Sequence, residues 1–187
     1  MLVLMAAVVQ QDAPGRPQAG PQPRQSTPQG RSQTIAAACA ISAAAGVIHA
    51  VAMVDHFDHH WSYGVFFLLV TYFQVLWAVW VYRHSSDRRA LAAGVIGSVA
   101  ISAVWLVSRT VGVPIGPEAG DPESIGAMDL VATLDQLVLA GLLVTILRPA
   151  GWLGRRIAWL SGAAAVRLGV MLCSASLFAT LLGSHAH

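Results

Sequence analysis

Residues 62–82 read SYGVFFLLVTYFQVLWAVWVY, a run with no Asp, Glu, Lys, Arg or His. An α-helix of that length rises about 30 Å, the thickness of a bilayer's hydrocarbon core. Trp61 and Tyr63 stand at one end and Trp80 and Tyr82 at the other, where amphipathic rings favour the headgroup region. Four further apolar runs, at 34–54, 91–108, 125–147 and 158–182, have similar length. The expected fold class is therefore all-α, an integral membrane bundle of about five transmembrane helices.

Composition agrees. A chain of 187 residues that is 56% hydrophobic and 11% charged carries more apolar surface than a soluble domain of that size can enclose. The formal net charge of +2 and the lack of a dense basic run exclude a nucleic-acid partner. The expected partners are the lipid bilayer and other membrane protein subunits. Cys39 and Cys173 lie inside the first and fifth runs, away from metal-ligand spacing, and read as small packing residues.

The opening segment MLVLMAAVVQ is apolar but has no basic n-region, so the first long helix is expected to act as an uncleaved signal anchor. Residues 11–33, rich in Pro, Gln and Gly, lack the large apolar groups that offset ordering entropy. The expected organisation is a disordered cytoplasmic tail at 1–33, a helical bundle at 34–182 and an extracytoplasmic tail at 183–187.

Arginine placement orients the chain. Arg16, Arg24 and Arg31 precede the first span; Arg83, Arg88 and Arg89 lie between the second and third; Arg148, Arg155 and Arg156 lie between the fourth and fifth. With five spans these segments share one side, which the positive-inside rule places in the cytoplasm. The N-terminus is then cytoplasmic, the C-terminus extracytoplasmic, and the expected location is the plasma membrane.

On that topology His49, His56, His59, His60, His185 and His187 gather at the outer face, leaving His84 inside. If the first helix continues through DHFDHHW, helical period places His49, Met53, His56 and His60 on one stripe, with His59 off it. Imidazoles beside a thioether suit a late first-row metal ion, copper in preference to zinc or iron. Asp55 and Asp58 can orient the rings or add oxygen ligands. The expected metal-site residues are His49, His56, His60, Asp129 and Glu123. The same residues also read as a polar interfacial loop or as a proton sensor.

Asp135 and Arg167 fall inside the fourth and fifth runs, where ionised side chains need partners, so an Asp135–Arg167 pair is expected. Arg109 closes the third span near Asp129, Glu118 and Glu123. The loop SRTVGVPIGPEAGDPESIG punctuates itself with Gly and Pro and is expected to fold back as a cap over the helix ends. Asp121, Glu123 and Ser124 suit the N-terminus of the fourth helix.

His49, His56-Phe57, His60-Trp61, Tyr63-Gly64 and Phe66-Phe67, with Ser108-Arg109-Thr110, Gly112, Pro114 and Gly116-Pro117, resemble a group of uncharacterised small multipass membrane proteins common in actinobacteria. The resemblance covers roughly residues 40–147. It implies that the histidine loop and the Arg-Thr-Gly-Pro loop form one site, and it carries no reaction. The chain shows no P-loop, no G-x-S-x-G elbow and no C-x-x-C-H haem attachment, and its residues assign no catalytic group. The functional expectation is a metal-binding accessory protein or redox-complex subunit. The alternatives are a non-catalytic interaction subunit and a proton-coupled transporter or pH sensor.

Overall fold

In a computed structural model, which describes residues 28–148 and 152–183, the chain is all-helical, with no strand among the described residues. The helices are α1 (Pro28–His59), α2 (Trp61–Arg83), α3 (Arg88–Thr110), α4 (Ala127–Leu147), α5 (Trp152–Ile157) and α6 (Ala163–Gly183), with a 3-10 turn at Ala158–Leu160 before α6. Five of them, all but α5, are long and apolar enough to cross a membrane.

Two boundaries differ from expectation. α1 begins at Pro28, so the last residues of the expected tail are helical; residues 1–27 and 184–187, and with them His185 and His187, lie outside the described residues. The fifth run, expected at 158–182, divides into the 3-10 turn and α6, broken at Gly162, whose φ of +63° ordinary side chains resist, and the separate short helix α5 precedes it.

α1 is the axis of the bundle. Its small residues Ala37, Ala38, Ala45 and Gly46 are buried, which lets neighbouring backbones approach closely, the usual basis of helix association in lipid. α2, α4 and α6 pack around it, and α3 lies against α4 at the periphery. The core gathers Ile41, Val81, Leu91, Leu142 and Leu143.

α2 and α3 meet through two aromatic wedges. Trp77 fills the space beside Gly94, where a Cβ would stand 2.5 Å from its ring and 2.7 Å from Leu143. Its indole N–H donates to the Ala90 carbonyl at 2.7 Å. The Phe73 ring lies over Gly97 in the same way.

The two ends of the bundle differ in character. At one, Arg31 donates to the Ser85 carbonyl and Arg88 to the Leu147 carbonyl, each at 3.1 Å, and Asp87 caps α3 through the Arg89 and Ala90 backbone N–H groups. At the other, the loop 111–126 folds over the helix ends as expected. Tyr63 donates to the Ile115 carbonyl at 2.8 Å, and the Glu123 N–H donates to the Ser108 carbonyl at 2.9 Å. Gly112, with φ +73°, turns the loop where a Cβ would meet the Asp121 amide nitrogen at 2.5 Å. This is the cap end.

Candidate functional site

Beneath the cap, α1, α2, α3 and α4 enclose a cavity of about 460 Å³. Its walls are mainly apolar, supplied by Ile48 and Ala52 of α1, Phe66 and Phe67 of α2, Ile101 and Val104 of α3 and Ala132 of α4. The polar groups that reach it are His49, His56, Tyr63, Trp105, Ser108, Arg109, Glu123 and Asp129, with Ser62 and Thr133.

His49 and His56 stand two turns apart on one face of α1, as the helical period requires. Each uses Nδ1 to reach the carbonyl four residues back, Ala45 and Ala52, at 2.7 Å. A carbonyl oxygen only accepts, so Nδ1 carries the proton and a neutral ring keeps its lone pair on Nε2, pointing away from α1. Phe67 contacts both rings, with centroids 4.0 Å from His56 and 5.7 Å from His49.

His60 departs from the expected stripe. α1 ends at His59, and His60 adopts an extended backbone as the N-cap of α2, where its Nδ1 accepts from the Ser62 N–H at 3.3 Å. That capping role turns the ring off the α1 face and out of the cavity wall. Met53 does not line the cavity either, and His59 is exposed, donating to the Asp55 carbonyl.

Arg109 organises the carboxylates. Its guanidinium binds Glu123 through Nη1 and Asp129 through Nη2, the latter at 2.7 Å, while Nη1 also donates to the Ser108 hydroxyl. Asp129 accepts the Gly126 N–H at 2.9 Å as well, which secures the first turn of α4. Both acidic members of the expected metal set are thus held by a guanidinium. Among the described residues no group of three or more His, Cys, Asp or Glu side chains converges to hold a metal ion. Glu118 and Asp121 are exposed on the cap.

Two buried donors at the cavity have no hydrogen-bond partner among the described residues: the Trp105 indole N–H and the Arg109 Nε–H. Trp105 was not among the candidates expected from sequence. The available signal was its place four residues before Arg109, which puts both on one helix face.

Deeper in the bundle, Asp135 is fully buried and accepts from the Ser176 hydroxyl at 2.7 Å. The expected Asp135–Arg167 pair does not form, and the reason is the start of α6. Because α6 begins at Ala163, Arg167 lies one turn from the helix end and is exposed, within reach of the headgroup region by snorkelling.

No protein-family model matches the chain, and comparison with curated proteins and with solved structures likewise finds no match.

Proposed function

We propose that the protein is a membrane-embedded binding protein whose site is the cavity under the 111–126 cap, taking a small, largely apolar molecule with a hydrogen-bonding group. The observation that carries this reading is the pairing of an apolar-walled volume of about 460 Å³ with a buried indole N–H that has no partner among the described residues. Pockets of that size and character are typical of small-molecule sites, and an unmatched buried donor is costly unless something accepts from it.

The arginine distribution supports placing the cap end outside the cell and the Arg31, Arg83, Arg88 and Arg148 end in the cytoplasm. Mass spectrometry of organic extracts tests the binding reading. Wild-type protein should carry or take up one small apolar molecule per chain, and Ala52→Phe and Thr133→Phe, which fill the cavity, should lose it without loss of melting temperature. Stoichiometric uptake in neither wild type nor variants overturns the proposal.

A second reading, metal binding with copper preferred over zinc or iron, draws on the His49 and His56 rings. Metal-ligating histidines characteristically donate their other ring nitrogen to a carbonyl, as both do here. Elemental analysis after copper, zinc or iron loading should then find metal that His56→Ala removes. Equal metal content in wild type and variant overturns this reading.

A further inference from the structure

The cavity specifies the kind of molecule it would take through charge, hydrogen bonding and access. Among the described residues Arg109 is the only Lys or Arg that lines it, and two carboxylates already bind that guanidinium. Among the described residues no free Lys or Arg charge is left at the cavity for a phosphate or carboxylate head, and bringing an anion beside Glu123 and Asp129 adds like-charge repulsion.

The remaining hydrogen-bonding groups are of both kinds. Trp105 and Arg109 Nε offer N–H donors, and in their uncharged form the rings of His49 and His56 offer Nε2 lone pairs, their Nδ1 protons being committed to α1 carbonyls. A hydroxyl group answers both, since it donates one proton and accepts on the same oxygen. A carbonyl or ether serves only the donors.

The walls favour a ring beside that hydroxyl. Phe67, already 4.0 Å from the His56 ring between centroids, stands with Phe66, Tyr63 and Trp105 around the space, and aromatic faces and edges reward a planar guest. Access is from the side. α2 and α3 are wedged together at Trp77–Gly94 and Phe73–Gly97, but nearer the cap their facing residues line the cavity. Ala103 and Val104 both line it and are exposed on the lipid side of α3, so an alkyl chain can leave between the two helices into the bilayer.

Resting on the cavity reading above, we infer that the ligand is a neutral membrane-dissolved phenol or hydroquinone lipid, its ring hydroxyl held among His49, His56 and Trp105 and its tail passing between α2 and α3.

Full-length protein in phosphatidylcholine nanodiscs tests this with four probes of equal chain length: 4-decylphenol, 4-decylanisole, decanol and decanoate. The phenol should bind saturably, one per chain, and about tenfold tighter than the other three, the scale set by one hydrogen bond in a buried site. His56→Phe and Trp105→Phe, which keep a ring in place, should each weaken the phenol about tenfold; the first should leave the anisole unchanged, and the second, which removes a donor the ether oxygen also uses, should weaken the anisole as well. Equal saturable binding of phenol and anisole overturns the hydroxyl assignment while leaving the cavity reading intact. Decanol matching the phenol overturns the ring, and decanoate binding tightest overturns neutrality. Saturable binding of none of the four overturns both the ligand class and the cavity reading. A melting temperature matching wild type shows that each variant is folded.

Discussion

Arg109 is the residue on which the cap end turns. Its side chain is 9% exposed while its two carboxylate partners are each about a third exposed, so the trio is neither a free surface pair nor a sealed one. Replacing Arg109 with Gln leaves two carboxylates facing each other and should destabilise the fold by about 1–3 kcal/mol, after discounting for solvent at the carboxylates. Arg109→Lys should recover only part of this, because one ammonium cannot reproduce the fork that reaches both partners. Thermal unfolding in detergent measures both. The sequence placed Arg109, Glu123 and Asp129 at one level but did not show that they bind one another. Their separations of 14 and 20 residues are closed by the loop, which no local rule specifies.

At the scale of elements, caps and small residues set where helices start and how close they lie. Asp87 caps α3 and also accepts from the Trp80 indole at 3.1 Å. Those bonds, the indole first, hold its carboxyl below the ordinary carboxylate value of 3.8. Because the folded-state pKa is depressed, the stabilisation is present above that ordinary value and is lost as pH falls through the folded one. Wild type should therefore melt above Asp87→Asn at neutral pH, with the gap closing in strong acid; a gap that widens with acidity contradicts the assignment. Gly94 sets the α2–α3 distance through Trp77. Gly94→Val should cost about 1–3 kcal/mol by overpacking, read as a lower midpoint in denaturant, with Gly120→Ala in the open part of the cap as a control. That control carries only the backbone strain of its +89° φ. The helices themselves were legible from apolar run length, yet the break at Gly162 was not, because a continuous apolar run conceals a turn that only a left-handed φ reveals.

At the scale of the whole molecule, orientation in the bilayer and closure of the cap can each be read by experiment. In a Cys39→Ala, Cys173→Ala background, Glu118→Cys should react with a membrane-impermeant maleimide in intact cells, and Ser86→Cys only after permeabilisation. The opposite labelling pattern reverses the proposed topology. Gly112→Ala forces a side chain into a turn with φ +73° and into contact with Asp121. It should speed hydrogen exchange across 111–126 while leaving exchange within α1 and α4 unchanged, since the strain is local to the cap.

The membrane class, the five spanning helices, the cap loop and the shared face of His49 and His56 were all readable along the chain. Each follows from run length, turn chemistry or helical period, which are properties of neighbours in sequence. The partners were not. His60 left the histidine stripe because a single residue between α1 and α2 had to become a cap. Asp129 and Glu123 were claimed by Arg109, and Asp135 by Ser176 of α6 in place of Arg167. Trp105 joined the cavity wall, its indole N–H without a partner among the described residues, only once α1, α2, α3 and α4 had packed around that space. Which groups meet across a bundle depends on how helices rotate and pack, and that is set by side-chain volumes distributed over the whole fold.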